Sequence, residues 1–277
     1  RLLGQVGSEQ VETNALGRVM RVLEQNAPIA GDDLTLFIDS ELQRVGLDAF
    51  NGERGALIAI DVKTGGILAM VSAPSYDPNL FVGGISQKDY DRLLYDKSRP
   101  LFDRTIRGQY PPGSTVKPLF GLIALQKGTV TTNFKIQDNG FFYFKGVERP
   151  WRDHNFARGG HGSGVDLAKA IIESCDVYFY ELGVRTGIDM LSTYGNQFGL
   201  GVLTGIDLPG ERNGIMPSRA WKQGERRQSW YNGDTINVSI GQGYMLATPL
   251  QLAVMTARIA SRGEVQTPRL VKASNSD

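Results

Sequence analysis

The chain has 277 residues, enough for one large domain or one domain with an appendage. Thirty Lys and Arg stand against twenty-nine Asp and Glu, for a net charge of +1, so no basic excess points to nucleic acid and no charged tail is present. Cys175 is the single cysteine, which excludes an intrachain disulfide, and no run of about 18 apolar residues spans a membrane. The start at Arg1-Leu2-Leu3 and the polar end Ser274-Asn275-Ser276-Asp277 read as those of a piece of something longer.

Residues 1–26 are weakly patterned, and Ala27-Pro28-Ile29-Ala30-Gly31-Asp32-Asp33 reads as a connector. Leu34–Asp39 is strand-like, and a helix is expected from Ser40, as N-cap, to about Phe50. Ala56–Asp61 and Ile67–Ser72 are apolar runs joined by Val62-Lys63-Thr64-Gly65-Gly66, a hairpin of two buried strands. Residues 73–112, with several Pro, Gly and Asp, read mostly as surface connection. Leu119–Leu125 is apolar nearly all round and predicts a buried helix. Short aromatic strands follow over 129–163, then a helix over 166–185, Gly- and Pro-rich segments, and a last helix over Pro249–Ile259. Strands, then helices, then strands imply an α+β domain.

The chemistry concentrates at Pro111-Pro112-Gly113-Ser114-Thr115-Val116-Lys117-Pro118. Pro-Pro-Gly stops the preceding chain, and the apolar helix begins at about Ser114. A spacing of three puts Ser114 and Lys117 on one helix face. A serine hydroxyl needs a nearby base to become a nucleophile, and a lysine can serve where burial or other cations depress its pKa. Ser-x-x-Lys alone is weak, because a chain of this length carries about one by chance. The competing reading is a serine N-cap followed by a solvated lysine. The Pro-Pro-Gly break before a buried helix, and the lack of a Gly-x-Ser-x-Gly elbow, favour catalysis.

Tyr110-Pro111-Pro112-Gly113-Ser114-Thr115-Val116-Lys117-Pro118 resembles the first active-site motif of class B penicillin-binding proteins. Asp61–Met70 is similar to the paired strands before that motif, and Ser174-Cys175-Asp176 stands where the family has Ser-x-Asn or Ser-x-Asp. Thr204-Gly205-Ile206-Asp207-Leu208-Pro209-Gly210-Glu211 and Ile240-Gly241-Gln242-Gly243 with Thr248-Pro249 follow in the family's order. The Asp form of the second motif, after Trp151-Arg152-Asp153, favours the elongation (rod-shape) branch. The resemblance implies a penicillin-recognising serine transpeptidase fold acting on D-Ala-D-Ala stem peptides of peptidoglycan and acylated by β-lactams. It assigns Ser114 as nucleophile, Lys117 as base, Ser174 as proton relay and Asp176 as the group orienting the cluster. For Ser174 and Asp176 a helix-breaking turn with an Asp cap is the alternative. The family's third motif, Lys-Thr/Ser-Gly, is expected beyond Asp277, because Lys63-Thr64-Gly65 precedes Ser114 and belongs to the hairpin turn. Residues 1–30 then read as the tail of a preceding non-catalytic domain and connector, and 31–277 as an incomplete transpeptidase domain.

Asp138, Asp153, His161 and Cys175 are suitable ligand types in one polar, glycine-rich stretch and the helix start after it. Such a set can close a structural zinc site, as some elongation-type relatives suggest, with His154 a possible substitute for His161. A buried free cysteine, a surface histidine and two turn aspartates are the alternative. The acyl transfer itself needs no cofactor. The resemblance further implies a periplasmic domain of an inner-membrane-anchored protein, with membrane wall-elongation proteins as partners. A D,D-carboxypeptidase, a serine β-lactamase and a non-catalytic β-lactam sensor or scaffold stay open as rivals.

Overall fold

The computed structural model of the protein describes residues 4–274, and the two chain ends read above lie in part outside them. The weakly patterned opening is a hairpin, β1 (Ser8–Thr13) against β2 (Val19–Asn26). Asn14 closes its turn, its Oδ1 accepting from the amides of Leu16 and Arg18 at 3.0 Å each. The ribbon is exposed on both faces, which is why no apolar alternation marks it in the sequence.

β3 (Leu34–Leu36) leads into α1 (Ser40–Asp48). Asp39 caps that helix, accepting from the amides of Glu41 and Leu42 at 2.9 Å, so the expected cap moves one residue back from Ser40. An extended backbone and a carboxylate at the positive helix end make Asp39 the better cap. β4 (Gly55–Ile60) and β5 (Ile67–Ala73) form the expected antiparallel hairpin, with Ile67, Ala69, Val71 and Ala73 facing inward. The stretch read as connection holds two further helices, α2 (Gln87–Leu94) and α3 (Arg104–Arg107). α2 buries no residue and is set by its Ser86–Asp89 cap, so it shows no apolar stripe.

A 3-10 turn, Gly113–Val116, runs into α4 (Lys117–Gln126), the buried helix. β6 (Ile136–Asp138), β7 (Phe141–Phe142), β8 (Trp151–Arg152) and β9 (Gly162–Val165) pair as β6–β9 and β7–β8. The helix expected over 166–185 is two helices, α5 (Leu167–Ile172) and α6 (Asp176–Thr186). Ser174 breaks it, with φ 56° in the left-handed region. α7 (Ile188–Gln197), α8 (Arg219–Arg226), α9 (Asn232–Val238) and α10 (Pro249–Ala260) follow, and β10 (Val271–Ser274) pairs with β3. The first three of these helices lie in the region read only as Gly- and Pro-rich. The architecture is α+β, and no helix among the described residues is long and apolar enough to cross a membrane.

One apolar core packs α4, α6, α7 and α9 through Leu119, Phe120, Ile123, Tyr178, Phe179, Leu182, Leu191 and Ile236. Truncating a ring such as Phe120 to Ala in such a core costs about 3–5 kcal/mol. A second cluster, Ile67, Ile106, Ile206, Leu250 and Val254, sits under the β4–β5 hairpin. The start of α4 and the α5–α6 break meet at the edge of the larger core, and the candidate site lies there.

Candidate active site

Ser114 lies in the 3-10 turn before α4, where residues three apart eclipse one another, so Ser114 and Lys117 share a face as the spacing predicts. Gly113 sets this turn. Its φ is 59°, its amide donates to the Gly241 carbonyl at 2.9 Å, and a Cβ on Gly241 would lie 2.2 Å from the Gly113 oxygen. The two backbones touch, which only glycine allows. Ser114 itself is exposed.

Lys117 is 2% exposed. Its Nζ donates to Asp176 Oδ1 at 2.6 Å, to the Ser174 carbonyl at 2.7 Å and to Ser174 Oγ at 3.2 Å, and lies 5.3 Å from the Phe179 ring centre. All three contacts are to acceptor oxygens of the second motif. The left-handed Ser174 turns both of its oxygens toward Lys117, and Asp176, first residue of α6, sits where the helix dipole favours an anion. The four residues predicted as catalytic therefore stand on adjoining turns, three of them joined by hydrogen bonds. Among the described residues Ser114 Oγ has no hydrogen bond, and Lys117 is turned to the second motif instead.

Behind that motif lies a second polar group. Asp153 Oδ2 accepts from the amides of Asp176 and Val177 at 2.6 and 3.3 Å, capping α6 from a distant strand end. Asp138 Oδ2 accepts from Cys175 Sγ at 3.3 Å and lies 2.7 Å from His161 Nδ1, itself 3.6 Å from Asp153 Oδ1. One ligating atom from each of Asp138, Asp153, His161 and Cys175 lies within 4.8 Å of every other. Ligands at 2.0–2.3 Å around a tetrahedral ion stand about 3.3–3.7 Å apart, so the set fits a metal ion with small adjustment. His161 is the histidine brought in, its side chain 5% exposed, while that of His154 is 54% exposed. The loop between Asp153 and His161 takes up its length in a 3-10 turn, Phe156–Arg158, before β9. Burial raises the Asp138 pKa, but bonds from the Gly140 amide, His161 and Cys175 outweigh it and hold the carboxyl below its ordinary value. Burial, with the carboxylates of Asp138 and Asp153, pushes the Cys175 thiol well up despite the Tyr178 amide.

The sequence matches the family described as penicillin binding protein transpeptidase domain over residues 55–276. The chain belongs to that family. It is 45% identical to the peptidoglycan D,D-transpeptidase MrdA of Escherichia coli (strain K12), over 100% of this chain and 43% of that protein. The Acinetobacter baumannii MrdA is 45% identical over 99% of this chain and 40% of that one. Among solved structures, Pseudomonas aeruginosa PBP2 in complex with WCK 5153 superposes with a TM-score of 0.87 at 47% identity, covering 92% of this chain and 55% of that. The complex of PBP2 with MreC from Helicobacter pylori gives 0.85 at 39% identity, covering 99% and 50%. The chain thus spans less than half the length of these curated relatives.

In this transpeptidase domain Lys63-Thr64-Gly65 sits in the β4–β5 turn, as read. Asp61 holds it, accepting from the Lys63 amide at 3.0 Å and from Thr64 Oγ1 at 2.8 Å. Two features of the site escaped the sequence reading. Asp153 bonds the second motif directly as well as standing among the candidate ligands, and a backbone cap between distant residues leaves no local pattern. The Gly241 contact with Gly113 was also missed, although the run Ile240-Gly241-Gln242-Gly243 had been singled out without a role.

Proposed function

We propose that this chain carries the acyl-transfer region of a peptidoglycan D,D-transpeptidase of the elongation type. The supporting observation is the buried Lys117, three residues after Ser114 and bonded to both Ser174 and Asp176. In this reading Ser114 Oγ attacks the carbonyl of the penultimate D-alanine, an ester forms and terminal D-alanine leaves. As the neutral amine Lys117 takes the serine proton, Ser174 relays that proton from Lys117 to the departing amine, and Asp176 holds the lysine in place. The Ser114 amide supplies one oxyanion donor, a contribution worth about 10²–10³ in rate. The amine of a second stem peptide then takes the acyl group from Ser114.

Asp138, Asp153, His161 and Cys175 are read as holders of a structural zinc ion, which would fix the second motif from behind and takes no part in acyl transfer. The wider reading, of a periplasmic region in a membrane-anchored protein, rests on the resemblance of the sequence motifs. The match to a penicillin binding protein transpeptidase domain supports acylation by β-lactams, and the Helicobacter pylori PBP2 solved with MreC supports a wall-elongation protein as partner. Benzylpenicillin labelling of the intact protein with peptide mass spectrometry tests the core of it. The adduct is expected on Ser114 alone, and full labelling of Ser114→Ala would overturn the assignment.

A further inference from the structure

α8 is an exposed, strongly polar helix, yet one of its residues is buried. Lys222 is 2% exposed, and its Nζ donates to Asp234 Oδ2 at 2.6 Å. The rings of Tyr231, Tyr244 and Trp230 surround it, with centres 5.0, 5.3 and 5.8 Å from Nζ. Burial disfavours the ammonium, but the hydrogen bond and charge of Asp234 outweigh it, so the Lys222 pKa lies above the ordinary lysine value. Burying a charged lysine is costly unless a close partner offsets it, as Asp234 does here, and removing either partner leaves an uncompensated buried charge.

That geometry leads to the nucleophile. Asp234 Oδ2 also accepts from the Tyr231 amide at 2.8 Å and so caps α9. α9 runs straight into the turn on which Gly113 rests: the Gly241 amide donates to Val238 at 2.8 Å, and the Gly241 carbonyl accepts from the Gly113 amide at 2.9 Å. Tyr244, three residues after Gly241, is one of the rings around Lys222 and packs against Trp221 at 5.4 Å. Lys222 therefore grips both ends of the segment, α9 at its start and Tyr244 beyond its turn. Because Gly241 and Gly113 are in backbone contact, a shift of that segment passes to Ser114 without slack.

We propose that Lys222 is a positioning residue for the nucleophile, holding the α9–Tyr244 segment against which the Gly113-Ser114 turn is laid. The inference rests on the acyl-enzyme reading above. Its test is Lys222→Met, which keeps the side-chain length and removes the charge, made in the intact protein. The acylation rate constant and the dissociation constant of the preceding complex are measured separately with a fluorescent penicillin, on protein shown folded by its melting curve. The rate constant is expected to fall about 10- to 100-fold, the scale of a misplacement near 1 Å, with the dissociation constant moving far less. Asp234→Asn is expected to fall alike, and the double variant to be no slower than the slower single one. A merely structural ion pair would lower the melting temperature and leave the rate constant of the folded protein at the wild-type value, and that result overturns the proposal. If Lys222→Met does not fold, unchanged rate constants in both Asp234→Asn and Tyr244→Leu overturn it equally. A wild-type protein that penicillin does not acylate at Ser114 sinks the functional reading and this one together. A normal wild type beside an unchanged Lys222→Met sinks this one alone.

Discussion

The two halves of the candidate site are held in different ways. On the Ser114 side the fixing contacts are backbone and apolar: Gly113 against Gly241, and Val116, Leu119 and Phe120 sunk in the core. On the Ser174 side they are polar: Lys117 bonds Asp176, whose amide bonds Asp153, and beside them Cys175 bonds Asp138. The first half tolerates no added volume and the second no lost acceptor. Damage to the two should therefore weigh differently: added volume on the backbone side falls first on stability, whereas a lost acceptor on the polar side costs both stability and rate.

Lys117 is the point where the halves join, so removing its amine gives the largest effect. In Lys117→Met the proposed base is gone and Asp176 Oδ1 loses its 2.6 Å donor. Acylation by benzylpenicillin is expected to drop by about 10²–10⁴, the range for loss of a general base. Near-normal acylation of that variant would separate the halves and remove Lys117 from the chemistry. Gly241→Ala strikes only the backbone side. Its Cβ would meet the Gly113 oxygen at 2.2 Å, on a residue with φ 72°. Strain and overpacking together should cost roughly 2–4 kcal/mol, read as a lower denaturation midpoint. Gly210→Ala, also at positive φ (89°) but facing open space, should cost only the backbone share, about 1 kcal/mol. Equal losses in the two would show that the Gly113 contact is slack.

The polar side is probed by Asp153→Ala, which strips the cap from the Asp176 and Val177 amides. An unsatisfied buried donor costs about 1–3 kcal/mol, and part of that loss should appear as slower acylation, because Asp176 is one of the freed residues. A stability loss with no change in the acylation rate of the folded protein would make Asp153 scaffolding alone.

The same contrast governs what the sequence could reveal. The backbone side was legible because Pro-Pro-Gly before an apolar run is local, and the β4–β5 hairpin was legible because its strands carry continuous apolar stretches bounded by a Gly-Gly turn. α7, α8 and α9 were missed because they sit among glycines and prolines and, in α8, bury a single lysine. The helix break at Ser174 was legible only as an alternative to catalysis, for another reason. Residues 166–185 keep helical composition throughout, and only the left-handed serine and the Asp153 carboxylate from a distant strand make two helices of one. The ligand types at Asp138, Asp153, His161 and Cys175 were readable. Their meeting within 4.8 Å depends on β6–β9 pairing, a contact 20 or more residues long that no local pattern announces.

The smallest effect on rate should come from the candidate metal group. If zinc fills it, Asp153 Oδ2 keeps its bonds to the Asp176 and Val177 amides at 2.6 and 3.3 Å. The ion would tie that brace to Asp138 and Cys175, and its loss is expected to show mainly in stability. A ligand at a hundredfold its dissociation constant adds about 2.7 kcal/mol to the folded state. Protein purified without a His tag or chelator is expected to carry about one zinc per chain, in the four-ligand manner of structural sites. Cys175→Ser should lose most of the metal and melt at a lower temperature, while its acylation rate at low temperature falls less than that of Asp153→Ala. Trace zinc in the wild type, unchanged in Cys175→Ser, would mean that the four side chains satisfy one another as they stand. The thiol-to-Asp138 and His161-to-Asp138 contacts, with the backbone amides that Asp138, Asp153 and Cys175 accept from, would then hold the polar half of the site by hydrogen bonds alone.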